Sequence, residues 1–282
     1  MIPATNYQQN CAPCHTSQLR VTGTEGRPEN AVFGEEGVNC EMCHGPSAKH
    51  VAGMLSRKFY TKRPLDPPVN FQKISNREYV ALCAQCHMQS AVRDGQRLQS
   101  AVRDGQRRRE INYSSDGDSF YPHYRSLNYI FLYPKAFYKD GRFRETTFIV
   151  ESFVRAACFK KGEAHCGHCH DPHPPDASSN LNSLKFLAQP DRMCLQCHDG
   201  YSTSDVEAHT HHPVSSEASR CVSCHMPRIM NSMLFQARSH KIDDIPNAEM
   251  VLRFGQHESP NACLLCHSAK DATWVKEQLQ AW

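Results

Sequence analysis

Large apolar side chains are scarce in this chain. Leucine, isoleucine, valine and phenylalanine together make 52 of its 282 residues, and tryptophan occurs only twice, at Trp274 and Trp282. So little apolar mass does not enclose a chain of this length by itself. The formal charge is only +3, so the strong self-repulsion that goes with apolar-poor disorder is missing as well. No apolar run approaches the roughly 20 residues of a membrane helix. The opening "MIPATNYQQN" has neither the basic nor the apolar region of an export leader. The basic clusters Arg57-Lys58, Lys62-Arg63 and Arg107-Arg108-Arg109 stand without aromatic interleaving or a recognition module, which excludes nucleic acid from the expected partners. Something other than side chains has to supply the missing apolar mass.

What the chain has in abundance is cysteine, fifteen in all, and histidine, seventeen. Fourteen of the cysteines form seven C-x-x-C pairs: Cys11/Cys14, Cys40/Cys43, Cys83/Cys86, Cys166/Cys169, Cys194/Cys197, Cys221/Cys224 and Cys263/Cys266. A histidine follows each pair at once, namely His15, His44, His87, His170, His198, His225 and His267. Zinc would draw four ligands from two pairs and has no use for a histidine fixed beside every second cysteine. A disulfide framework would space its partners widely. C-x-x-C-H is instead the pattern of covalent haem attachment. Cysteines three apart lie on one side of a helical turn, so both thiols reach one porphyrin edge while the next residue faces the iron. Helix-start signals precede three motifs: Ser75 or Asn76 before Cys83, Pro190-Asp191 before Cys194, and Ser259-Pro260 before Cys263. They predict short helices that run into the attachment sites.

Seven haems in 282 residues leave about 40 residues each, near the size below which a chain needs a metal or crosslink to fold. The expected fold is therefore mostly coil with short α-helices wrapped round the haems, with little or no β-sheet. A ferric haem with two neutral histidines and two propionates adds about one negative charge, which moves the formal +3 to roughly −4. Many lysines and arginines are then expected to pair with propionates. Haem c is attached on the non-cytoplasmic side of a membrane, so the protein is expected to be exported, periplasmic or extracellular, in a mature or trimmed form.

The motif histidines are spaced by 29, 43, 83, 28, 27 and 42 residues. Residues 1–90 are expected to form a cluster of haems one to three, and residues 165–282 a cluster of haems four to seven with a C-terminal helix. Residues 91–164 form a motif-free, aromatic-rich connection. That connection opens with a tandem repeat, "QSAVRDGQRL" then "QSAVRDGQRR", of turn-forming composition. From Tyr113 to Phe159 it is dense in rings, Phe120, Tyr121, Phe137 and Tyr138 among them, which are expected to pack on porphyrin faces. Cys158 has no motif partner and is expected to be a buried thiol. Val275, Leu279 and Trp282 recur at helical spacing after Asp271, the mark of a final helix docked on the protein's own body.

The seven motifs make the chain resemble the multihaem c-type cytochromes over nearly its whole length. "CEMCHGPSAKH" resembles an element of the hydroxylamine oxidoreductase and tetrahaem-carrier group, in which the trailing histidine, here His50, ligates a haem. "CGHCHDPH" and "HHPVSSEASRCVSCH" are similar to the doubled motifs of multihaem electron conduits, which implies distal ligation by His173 and His212; the second departs from that pattern at Arg228. The ending from Phe254 resembles the region where some such cytochromes pass into helical repeats, which implies a longer precursor. Extracellular cytochrome filaments share the dense spacing.

Ten histidines lie outside the motifs' own set, against seven sixth positions to fill. The candidates are His50, His123, His165, His173, His209, His212 and His240, with His257 the rival of His123. Met88 and Met226 follow motif histidines and are expected to pack rather than ligate. Two functions follow. One is electron transfer through a chain of seven haems, with redox partner proteins or an extracellular acceptor at its ends and a homopolymer as one form of assembly. The other is a multihaem oxidoreductase acting on a small nitrogen or sulfur oxyanion. All seven motifs keep their histidine, which favours the first.

Overall fold

A computed structural model describes residues 15–17, 20–24, 27–45, 47–56, 69–87, 134–144, 149–201, 205–231, 235–242 and 247–282. Cys11, Cys14 and His123 lie outside these residues, as do the tandem repeat, the basic clusters, Met88 and the aromatic segment up to Tyr133. The chain divides into two compact units, Met1–Leu127 and Asn128–Trp282. Three motifs fall in the first unit and four in the second.

In the first unit four short strands, β1 (Thr16–Ser17), β2 (Arg20–Thr24), β3 (Arg27–Val32) and β4 (Glu35–Glu36), precede α1 (Glu41–His44), α2 (Ala48–Leu55) and α3 (Asn76–His87). β2 and β3 form an antiparallel hairpin with an irregularity at Thr22/Gly23, and β1 pairs with β4 through Thr16↔Glu36. Ser17 is fully buried. Its hydroxyl donates to the Gly37 carbonyl and accepts from the Asn39 N–H, both at 2.8 Å. The Gly37 N–H donates to the His15 carbonyl at 2.9 Å, from a backbone at φ 81° that glycine adopts freely. The end of the first motif is thereby tied to the approach to the second. α3 starts with a capping box: Glu78 N–H donates to Ser75 Oγ at 3.2 Å, and Ser75 N–H to Glu78 Oε2 at 2.8 Å. It buries Val80, Ala81, Leu82 and Ala84.

The second unit contains α4 (Ile149–Phe153), α5 (Ala157–Lys160), α6 (Cys166–Cys169), α7 (Arg192–Leu195), α8 (Val206–Thr210), α9 (Cys221–His225), the hairpin β5 (Arg228–Asn231) and β6 (Gln236–Arg238), α10 (Glu249–Glu258), α11 (Ala262–Cys266) and α12 (Ala272–Ala281). Helices of four or five residues are marginal in isolation, so loops and packing hold most of them. Among the described residues the sheet content is three two-stranded antiparallel ladders. The fold is mostly coil and short helix.

Two small apolar cores organise this unit. Ala136, Phe137 and Phe143 pack against Met230 and Ala237 of the β5–β6 hairpin, with the two phenyl rings edge to face at 5.1 Å. The Tyr138 hydroxyl donates to the Ile229 carbonyl at 2.6 Å. Of the rings expected on porphyrin faces, Phe137 and Tyr138 are buried in polypeptide, because the hairpin offers them an apolar floor; those from Phe120 to Tyr133 lie outside the described residues. The second core joins Ala248 and Val251 of the α10 region, Leu264 of α11 and Val275 of α12. Between them, Arg142 donates to Asp140 Oδ2 at 2.6 Å and also to the Pro260 carbonyl, while the Ser259 hydroxyl donates to the same carboxylate oxygen at 2.6 Å. Burial alone would raise the Asp140 carboxyl, but Arg142 and Ser259 hold it below its ordinary range. Among the described residues no helix is long and apolar enough to cross a membrane.

Candidate haem-binding centres

Four motifs close their helical turn with the same bond. The histidine N–H donates to the carbonyl of the first cysteine in His44→Cys40 (2.8 Å), His170→Cys166 (2.8 Å), His198→Cys194 (2.9 Å) and His267→Cys263 (2.9 Å). Both thiols and the imidazole therefore leave a single turn in a set relation. In the second motif burial, then Cys40, raises the Cys43 thiol.

At motif three the helix expected from the start signal at Ser75 or Asn76 is present and runs into the attachment site. Cys83 and Cys86 are half-buried on the last two turns of α3, a helix of 12 residues that ends at the exposed His87. The reason is local: the Ser75–Glu78 box starts the helix early, and the buried face of Val80, Ala81, Leu82 and Ala84 carries it straight through the motif. Three-residue spacing still sets Cys86 on the same side of the helix as Cys83. The helix gives Cys86 its place, and haem attachment there rests on the motif.

The caps of the other turns are not all where the sequence suggests. Ser75 caps α3 as expected. Asn261, not Ser259, caps α11 by accepting from the Cys263 N–H at 2.9 Å, since Ser259 is spent on Asp140. Asp191 makes no side-chain bond to its own helix α7; its Oδ1 accepts from the Cys221 N–H of the next motif at 3.0 Å, which fastens motif five to motif six.

In the second unit the thiols of consecutive motifs are near enough to influence one another. The Cys169 thiol is pushed up to about 11 by burial and then by the nearby Cys158, Cys166 and Cys197. Cys194 and Cys221 share a hydrogen bond that raises Cys221. Burial, then Cys263, Cys266 and Cys221, push Cys224 up to about 11. Motif four thus adjoins five, five adjoins six, and six adjoins seven. Cys158, half-buried, sits among the thiols of motifs four and five, a placement that its position in the sequence did not indicate. These thiols are those of the chain before attachment; as thioethers they would not titrate. No disulfide joins two of the described cysteines. Among the described residues no three histidine, cysteine or acidic side chains converge as zinc requires.

The histidines face each other in pairs. His170 stands opposite His240 with ring centroids 6.4 Å apart and planes at 21°. His225 stands opposite His209 at 6.3 Å and 8°, and His267 opposite His212 at 6.1 Å and 42°. A metal–imidazole bond is about 2 Å long and a ring centroid lies about 1.1 Å from its own nitrogen, so two imidazoles on one iron sit roughly 6 Å apart. The gap matches. It differs from the His165–His168 pair, whose rings are 3.9 Å apart and touch.

Hydrogen bonds set the tautomers. His170 Nδ1–H donates to the Asn182 carbonyl at 2.8 Å, His240 Nδ1–H to the Arg238 carbonyl at 3.0 Å, and His212 Nδ1–H to the Thr210 carbonyl. Each of these rings then carries its proton on Nδ1 and its lone pair on Nε2, the tautomer in which ligating histidines are commonly oriented. His165 is the reverse: its Nδ1 accepts the Gly167 N–H at 3.1 Å as the cap of α6, and His168 Nδ1 accepts the His165 N–H at 3.1 Å. The proton of each neutral ring is then on Nε2. Burial, His168 and Lys185 hold His165 down to about 4, so it stays neutral and keeps this role.

The other candidates are placed less tellingly. His50 is half-buried in α2, and His173 and His257 are exposed. His44 packs edge to face on Phe71 at 5.1 Å, and Phe71 on Tyr79 at 5.2 Å, an aromatic strut behind the second motif. Trp274 lies 4.9 Å from His267, and Trp282 stacks on His211; the sequence marked neither contact. Beside Cys224 opens a cleft lined by Pro227, Met250, Lys241 and Arg142 among others.

Short helices, a recurring C-x-x-C-H turn and opposed histidines across a gap of one metal define the fold of a multihaem c-type cytochrome. Among solved structures the chain is similar to the outer cell wall cytochrome OcwA, 16% identical with a TM-score of 0.56 over 98% of this chain and 63% of that one. It also aligns with an undecahaem cytochrome from the S-layer of Carboxydothermus ferrireducens, 20% identical with a TM-score of 0.41, over 96% of this chain and 46% of that one. The chain spans less than two thirds of the length of either. No protein-family model matches it, and no curated protein does.

Proposed function

We propose that this chain carries electrons through a continuous series of seven covalently attached c haems, as an exported conduit in the periplasm or outside the cell. The observation that carries the reading is the set of three opposed histidine pairs at 6.1–6.4 Å, in which His170, His240 and His212 each donate from Nδ1 to a backbone carbonyl. Each bound haem supplies a one-electron ferric/ferrous couple. The two cysteines of a single turn would hold it, and backbone carbonyls orient the rings of His170, His240 and His212. Ligation by two histidines keeps potentials low, which suits the outward delivery of respiratory electrons. The assignment pairs His170 with His240, His225 with His209 and His267 with His212. His165 and His168 are left out because their Nε2 atoms carry protons. The run of adjacent sulfurs from Cys169 to Cys263 supports an electron path that follows the order of the motifs. An extracellular site of action agrees with the outer cell wall named for OcwA. Redox proteins or an extracellular acceptor are the partners, and end-to-end polymerisation is compatible with such a chain.

The test is a haem count with low-temperature electron paramagnetic resonance on the native protein. Seven haems per chain, all low-spin in the ferric state, are expected. A stoichiometric high-spin signal would overturn the pure conduit and point to an oxyanion-reducing haem enzyme.

A further inference from the structure

His209 and His212 are three residues apart. On a continuous helix they would share one face and address one neighbour. They address two, because His209 stands opposite His225 and His212 opposite His267. The residue that separates them in direction is His211. It ends α8 in the left-handed region, φ 54° and ψ 28°, a conformation uncommon outside glycine that asparagine, aspartate and histidine reach most readily. α8 is five residues long with no buried residue, and such a helix does not hold its own end.

What sits on this joint is a tryptophan. The Trp282 indole stacks on the His211 ring with centroids 4.6 Å apart and planes at 13°. Its helix is well anchored: Asp271 caps α12 by accepting from the Trp274 N–H at 2.9 Å, Val275 is fully buried, and Trp274 lies against His267. α12 therefore touches motif seven on both sides, at the proximal histidine through Trp274 and beside the distal one through Trp282.

Resting on the ligand assignment above, we propose that Trp282 is a positioning residue for two irons at once: by clamping His211 it fixes the left-handed joint that sends His209 to the sixth haem and His212 to the seventh. Trp282 touches neither iron, and its effect passes through His211.

The experiment uses the full haem-loaded chain and counts, relative to wild type, the haems that become high-spin when ferric and bind carbon monoxide when ferrous. H209A and H212A should each add one such haem. W282A should add a signal from both together, partial in amplitude, and so should H211G, which keeps the backbone conformation but removes the stacking ring. W282F should restore the wild-type spectrum. If H209A and H212A each convert a haem while W282A only lowers the melting temperature, this proposal is overturned and the ligand assignment stands. If H209A and H212A are themselves silent, the assignment falls and takes this proposal with it.

Discussion

Motifs five and seven have the same local turn, closed by the same 2.9 Å bond from histidine N–H to cysteine carbonyl, yet their surroundings differ. α7 buries none of its residues and is tied down by a few polar bonds, such as the Asp191 link to Cys221. α11 buries Ala262 and Leu264, is capped by Asn261, rests on Val251 and Val275, and is approached by the Arg142–Asp140 pair through Pro260. The turn is thus a local matter of backbone bonding. What keeps it in place is a protein core at motif seven, whereas at motif five a bound haem would have to provide most of the apolar contact.

The largest effect expected from this contrast appears when the haems are withheld. In chain made without haem attachment, amides of residues 190–201 should exchange with solvent on the order of 10²-fold faster than those of residues 262–275, about 3 kcal/mol or the burial of one to two apolar side chains. Hydrogen exchange read by mass spectrometry measures this, and equal protection of the two segments would dissolve the comparison.

A smaller break is D140N. It leaves the buried Arg142 guanidinium without its charge partner, a loss of about 3 kcal/mol and roughly 10 °C in melting temperature. Because the Asp140 carboxyl is held below its ordinary value of 3.8 in the folded chain, its contribution is complete above that pH and is lost as pH falls through the depressed folded value. The gap between wild type and D140N should therefore be full at neutral pH and close in strong acid. A gap that widens in acid would contradict the pairing.

The smallest effects come from the caps. N261A should cost about 1 kcal/mol at motif seven. D191N should cost no more than that, but should loosen motif six rather than its own motif five. Thermal melts with site-resolved exchange separate the two, and a D191N effect confined to residues 192–198 would show that Asp191 acts on α7 after all.

Much of this was legible in the residues because C-x-x-C-H is a local pattern whose chemistry is complete in five positions. Coil with short helices followed from the scarcity of apolar side chains. The helix through Cys83 and Cys86 was legible too, from the start signal at Ser75 that caps it. The sixth ligands were legible only as a pool of candidates. Which histidine meets which iron depends on remote elements: His240 reaches His170 because it follows β6, whose hairpin is seated on Phe137 and Phe143 far upstream in the chain. The tautomer that makes His165 a helix cap depends on an N–H two residues away that is donated only once the turn has formed. Ser259 read as a cap because hydroxyls before helices usually are caps, but a buried carboxylate 119 residues earlier holds it. Asp191 failed as a cap for the same reason, since its carboxylate accepts from a donor of the next motif instead. The Trp282–His211 stack has no local signature at all.

The most direct test of the opposed-histidine arrangement is anomalous diffraction at the iron edge from crystals of the haem-loaded protein. Seven iron peaks are expected, three of them lying between His170 and His240, between His225 and His209, and between His267 and His212, with Nε2 of each ring toward the metal. Iron away from these gaps, or any of the three pairs bridged by something other than a single iron, would contradict it.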